Sequence, residues 1–130
     1  GGCEFVMHAS HRVLALESYV GLVEAGVGLI PAGGGCKEFA LRAAGLASRA
    51  AGGDVFPFIQ NMFQTIAMAN VSKSALQAVE LGFAKESDDI LFNANELLHV
   101  ALARARAIAE SGYQPPLIQR AVFAGRNIHD

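Results

Sequence analysis

Apolar positions in this chain fall first into short runs and then into longer stripes at helical spacing. Phe5, Val6 and Ala9 follow a Gly1-Gly2 pair at intervals that suit a short helix over Gly2–Ala9. Arg12–Leu16 (RVLAL) and Ser18–Val23 (SYVGLV) are brief apolar runs, and their β-branched and aromatic content predicts a strand for each. Glu24–Pro31 (EAGVGLIP) reads as loop and turn, because Pro31 blocks helix continuation while Gly26 and Gly28 permit tight backbone.

From Gly33-Gly34-Gly35 onward the pattern is helical. Phe39, Ala43, Leu46 and Ala50 recur every three or four residues and predict an amphipathic helix from Cys36 to about Ala51, with Arg42 and Arg49 on its other sides. Gly52-Gly53 ends it. Asp54 then suits an N-cap, with Pro57 in the tolerated first turn of a helix over Val55–Met68. Phe58, Met62, Phe63, Ile66 and Ala69 line one side of that helix, a stripe read as core packing rather than as a lipid contact. Ser72 is read as the cap of a short helix, Lys73–Leu81, closed by Gly82. A turn and one short strand are expected within Phe83–Phe92. Asn93 or Asn95 then caps a last helix running to about Ser111. Its stripe is Leu97, Leu98, Ala101, Leu102, Ala105, Ile108 and Ala109, with Arg106 and Glu110 paired on the opposite face. Gly112 terminates this helix, and Tyr113-Gln114-Pro115-Pro116 opens an irregular tail.

Composition changes this picture in one respect. The 130 residues are 52% hydrophobic, and the mean hydropathy is +0.33. Both are high for a small soluble monomer, so some apolar surface is expected to be covered by another part of a longer polypeptide or by self-association. The opening Gly1-Gly2-Cys3-Glu4 fits that reading of a piece cut from a longer chain. Net charge is −2 and the cations are scattered, which argues against a nucleic-acid surface. No apolar run approaches the 18 or more residues of a membrane span, so no membrane role is expected and a cytoplasmic location is the default. Cys3 and Cys36 form no CxxC pair, and neither a zinc site nor a disulfide is expected of them.

The acidic residues carry the candidate chemistry. Glycines leading into a helix leave outward-pointing backbone N–H groups, which suit an anion or a developing oxyanion. Glu4 sits in the first turn of that helix, where a carboxylate also compensates the helix dipole. Glu24 ends a strand-like run before a Gly-rich turn. His8 and His11 stand three apart, but no third ligand is spaced to complete a metal site.

Taken together, the order GGCE, HRVLA, a run ending in Glu24 and then GLIPAGGG resembles the second half of the crotonase family signature. That signature reads GGG-C-E … D-x-R-I-A … F-x-x-P-E-x-x-x-G-x-x-P-G-x-G-G. The twenty-residue separation of Glu4 and Glu24 is similar to that in enoyl-CoA hydratases, and Arg12 falls on the arginine of the D-x-R-I-A strand. Val71–Phe83 (VSKSALQAVELGF) resembles the family's I-S-A-x-E-A-x-x-x-G-L element. With ALARARAIAESGYQPP, the chain looks most like the hydratase portion at the C-terminal end of long bacterial 3-hydroxyacyl-CoA dehydrogenases. It departs from the pattern at Ser10, Val23, Ala32 and Cys36, where the family has Asp, Pro, Gly and Thr.

The resemblance implies an α/β fold, mostly helical, in which the second half of a crotonase-like ββα spiral is followed by C-terminal helices. It divides the chain into active-site strands, turn and helices over 1–53, a helical region over 54–112 and an extended tail over 113–130. It implies Glu4 and Glu24 as catalytic residues, the Gly1 backbone N–H in the oxyanion hole, and Gly2, Val23, Pro31 and Gly33 at the substrate. The partner implied is an acyl-CoA substrate, with trimer-type homo-oligomers as in the intact family. No cofactor or metal is expected in this chain, and NAD would belong only to an upstream domain. The second oxyanion donor would lie in the family's first half, so these residues alone are expected to be inactive or nearly so. An enoyl-CoA isomerase and a non-catalytic oligomerisation module are the alternatives, and retention of both glutamates favours the hydratase.

Overall fold

The computed structural model describes residues 1–118. The chain is mixed α/β, mostly helical, with one two-stranded parallel sheet. Helix α1 (Gly2–His8) leads into strand β1 (Val13–Ala15), as the spacing of Phe5, Val6 and the RVLAL run predicts. A 3-10 turn over Glu24–Val27 precedes α2 (Gly35–Arg49), α3 (Phe56–Ala67) and α4 (Ala75–Glu80). Strand β2 (Asp89–Leu91) returns parallel to β1 with Val13 opposite Asp89, and α5 (Leu97–Glu110) follows a 3-10 turn at Ala94–Glu96.

The core lies where α1, α2 and α3 meet the sheet. Met7, Leu14, Leu22, Phe39, Ala43, Met62, Ala78 and Phe83 are buried there, with the Phe39 and Phe83 rings 5.1 Å apart and tilted. The buried face of α2 is Gly35, Phe39, Ala43 and Ala47. Leu46 and Ala50, read from the sequence as part of that face, lie off it. Small residues at 43 and 47 are what face the neighbouring core, while Leu46 is partly exposed. Gly35 is required because a Cβ there would come within 2.5 Å of Leu22 Cδ1.

Four expectations are corrected by the pairing of backbone groups. Ser18–Val23 is not a strand: it makes a single antiparallel bridge, Gly21 to Val71. The amide of Val20 donates instead to Ser72 Oγ (2.9 Å), and Ser72 Oγ donates to Ser18 O (2.8 Å). Ser72 therefore pins this segment and does not cap a helix. The cap of α4 is Ser74, whose hydroxyl accepts from Gln77 N at 3.0 Å. Asp54 Oδ1 accepts from Phe56 N, but Val55 is the residue at the α3 boundary. In α5 the ion pair is made by Arg104, with Asp89, rather than by Arg106 with Glu110. No residue of α5 is fully buried among the described residues: Leu97, Ala101 and Ile108 are half-buried, while Leu98 is 71% and Leu102 62% exposed. Gly112, at φ +79°, ends α5, and the tail is irregular from Tyr113 as far as it is described. Its remainder, with His129, lies outside the described residues. Among the described residues no helix is long and apolar enough to cross a membrane.

Candidate active site

Glu4 is fixed by the short helix that carries it. Arg12, itself buried, donates from Nη1 to the carbonyls of Val6 (3.0 Å) and Ala9 (2.8 Å), and Arg42 Nη2 donates to Met7 O at 2.6 Å. These arginines satisfy carbonyls at the α1 C-terminus that have no partner within the helix. Arg12 is in turn held by Asp88, with Nε to Oδ2 at 2.6 Å and the Arg12 amide to Oδ1 at 3.0 Å. Burial pushes the Asp88 carboxyl up. Hydrogen bonds from Arg12 and from the amides of Lys85 and Arg12 outweigh this and hold it below the ordinary value. Asp88 escaped the sequence reading because it stands 76 positions from Arg12. Where the family pattern has an aspartate two residues before this arginine, Ser10 bonds instead to the Tyr113 hydroxyl at 2.6 Å.

Glu4 is only 8% exposed. The Gly1 nitrogen donates to its Oε2. Its other oxygen, Oε1, is buried without a hydrogen-bond partner. Gly33 lies directly against that oxygen: a Cβ there would approach Oε1 to 2.6 Å. Gly1, Glu4, Phe5, His8, Ala9 and Gly33 line a concavity of about 550 Å³.

Glu24 begins the 3-10 turn, whose end is closed by Gly28 at φ +76° and by Leu29 N donating to Glu24 O at 2.9 Å. Its side-chain Oε2 is also buried without a partner. Both carboxylates act electrostatically on the Cys3 thiol. Half-burial, followed by the charges of Glu4 and Glu24, pushes that thiol up to about 11. Gly1, Glu4 and Gly33 share one concavity, and Glu24, outside its lining, lies close enough for its charge to act on Cys3. Gly2 and Val23 are exposed and outside the concavity's lining, and Pro31 faces a second concavity between α2 and α3.

His8 is the site residue that the sequence reading weighed only as a metal ligand. Its Nδ1 lies 2.8 Å from Glu4 O, and its ring borders the concavity 3.8 Å from Glu38 Oε2. The i,i+4 spacing from Glu4 placed it on the same helix face and was the available signal. His11 instead joins Asp89 at 2.9 Å, beside the Arg104 pair. Cys3 and Cys36 are both free. Among the described residues no cluster of three or more His, Cys, Asp or Glu side chains is arranged for a metal ion.

Comparison with known proteins gives one similarity of weight. Over 125 residues the chain is 39% identical to a Bacillus subtilis (strain 168) protein named probable 3-hydroxyacyl-CoA dehydrogenase. The aligned region is 96% of this chain but 15% of that protein. No family model matches the chain, and no solved structure matches it.

Proposed function

We propose that this chain supplies both carboxylates of an enoyl-CoA hydratase of fatty-acid β-oxidation, within a multifunctional 3-hydroxyacyl-CoA dehydrogenase. The observation that carries the reading is the pair of buried, unpartnered oxygens, Glu4 Oε1 and Glu24 Oε2. A buried acceptor without a donor costs about 1–3 kcal/mol. Two of them are costly to the fold unless a donor from water or substrate completes each one. The similarity to a probable 3-hydroxyacyl-CoA dehydrogenase supports the same metabolic setting.

In this reading Glu4 orients a water and takes its proton as the water oxygen bonds to C3 of the trans-2-enoyl thioester. Glu24 delivers a proton to C2 from the same face, so the addition is syn. The pair returns to its starting state by exchanging one proton with solvent. Negative charge gathers on the thioester oxygen as C2 becomes enolate-like, and the Gly1 backbone N–H is assigned to it when an acyl group precedes that nitrogen. A single such donor is worth about 2.7–4 kcal/mol of transition-state stabilisation. The other donor and much of the CoA-binding wall are assigned to polypeptide outside these residues. The fold is accordingly read as the second half of a crotonase-like spiral. The exposed Leu98 and Leu102 of α5 support a self-association surface alongside the catalytic one.

The test is hydration of crotonyl-CoA by the whole protein carrying this chain. Glu4→Gln and Glu24→Gln are each expected to lower kcat by about 10²–10⁴-fold. Hydratase activity that survives both changes removes the reading. Activity confined to double-bond migration replaces it with an isomerase.

A further inference from the structure

Glu24 lies in a segment that another part of the chain holds at several points. The connection between α3 and α4 runs along it, and residues 69–72 of the connection meet residues 18–26. Ser72 is fully buried and makes three hydrogen bonds to the segment. Its amide donates to Val20 O (2.9 Å), and its hydroxyl accepts from Val20 N (2.9 Å) and donates to Ser18 O (2.8 Å). Val71 bridges to Gly21, so closely that a Cβ on Gly21 would come within 2.6 Å of Asn70 O. Two residues beyond Glu24, Gly26 meets the methyl group of Ala69: a Cβ on Gly26 would lie 3.2 Å from it. One short connection therefore brackets Glu24, at Gly21 on one side and at Gly26 on the other.

Ala69 stands at φ +49°, the one non-glycine residue with positive φ among the described residues. Glycine takes that conformation without strain. Strain of this kind persists where the surroundings impose it, and it clusters at working sites. What alanine adds at position 69 is the methyl group on Gly26, which a glycine would remove.

We propose that Ser72 and Ala69 are positioning residues for Glu24, holding its carboxyl on one face of C2 of the enoyl thioester. The inference rests on the hydratase reading and adds to it how the proton donor is aimed. An enolate-like C2 is planar and can take a proton on either side, so the face that receives it depends on where the donor stands. Neither residue is assigned a contact with substrate: Ser72 is sealed from solvent, and Ala69 acts through Gly26. Anchors on both sides of Glu24 keep its carboxyl from rocking. With either one lost, the other becomes a pivot.

The experiment is hydration of crotonyl-CoA in D2O by the whole protein, with the face of C2 that carries deuterium read by proton NMR of the 3-hydroxybutyryl product. The unaltered protein is expected to label one face. Ala69→Gly relieves the strained backbone, so the urea midpoint should stay equal or rise. It should nevertheless lower kcat about tenfold with KM changed less than twofold, and put deuterium on both faces. Ser72→Ala should also label both faces, and Ala69→Gly carries the test by itself where Ser72→Ala fails to fold. Single-face labelling with unchanged kcat in the Ala69→Gly protein overturns the inference, and the hydratase reading stands if Glu24→Gln is inactive. A lower kcat with labelling still on one face makes the connection a structural support only and also overturns it. Normal hydration by Glu24→Gln removes the hydratase reading, and the inference falls with it.

Discussion

Glu4 and Glu24 rest on two differently built supports. The support of Glu4 is closed: α1 is tied at its C-terminal carbonyls by Arg12 and Arg42, and Arg12 is locked to Asp88 beside the sheet. The support of Glu24 is a 3-10 turn held by a few backbone bonds, with Val27, Leu29 and Ile30 turned outward. One carboxylate is preset by long-range ionic contacts. The other sits on a segment whose apolar side chains have no cover within the described residues. In the proposed hydratase, this division leaves Glu4 fixed as the base and lets the turn with Glu24 adjust to the substrate.

The largest effect should come from breaking the closed support. Arg12→Ala leaves the buried Asp88 carboxylate without its guanidinium, held only by the amides of Lys85 and residue 12, and frees the carbonyls of Val6 and Ala9. The expected loss is about 3–5 kcal/mol of unfolding free energy, read from a urea titration. Arg12→Lys should recover little, because a point charge cannot serve Asp88 and two carbonyls at once. A loss under 1 kcal/mol would mean that the two supports do not differ as described.

The next effect is on chemistry more than on stability. Gly33→Ala puts a methyl group where Glu4 Oε1 now stands, at 2.6 Å. Since Gly33 is exposed, the backbone can yield, but the carboxylate must shift. Hydration of crotonyl-CoA by the whole protein should fall about tenfold, roughly 1.4 kcal/mol, with the urea midpoint nearly unchanged. Parallel losses in activity and midpoint would make Gly33 a structural glycine only.

Acid should also separate the supports. Asp88 is held below its ordinary value by Arg12 and backbone amides against burial, and Asp89 by Arg104 and then His11. A carboxyl lowered in the folded state adds stability above its unfolded value, and that stability is lost as pH falls through the folded value. The urea midpoint should therefore hold from pH 7 to about 5 and drop below about pH 4. Asp88→Asn should start lower and flatten that acid limb. A variant with the same slope would place the acid-sensitive contact elsewhere.

Periodicity revealed the elements that obey local rules. Helices α1, α2, α3 and α5, strand β1 and the turn after Glu24 all stand close to their predicted places, because glycine pairs, Pro31 and three-to-four spacing act within a few residues. What escaped was decided across the chain. Ser18–Val23 alternates like a strand, with Val20 and Leu22 buried, yet Ser72 takes the Val20 amide and leaves one bridge. Arg12 was visible as a matched position, but its partner Asp88 was not. The two glutamates were legible as a spaced pair. The contact of Gly33 with Glu4, and the division of Pro31 from Gly33 between two concavities, required the folded turn.

The smallest expected effect sharpens the comparison from the open side. Ile30 is 87% exposed on the Glu24 turn. Ile30→Ser removes an apolar side chain that touches little, so the unfolding free energy of this chain should move by no more than about 0.5 kcal/mol. In the whole protein the same substitution has more to lose if upstream polypeptide or acyl-CoA covers this turn. A shift confined to the whole protein, read as a larger drop in midpoint or a higher KM for a long-chain enoyl-CoA, would mark Ile30 as part of the covered surface. A drop above 1 kcal/mol in this chain alone would instead mean that the turn is already packed, and the contrast between the two supports would be lost.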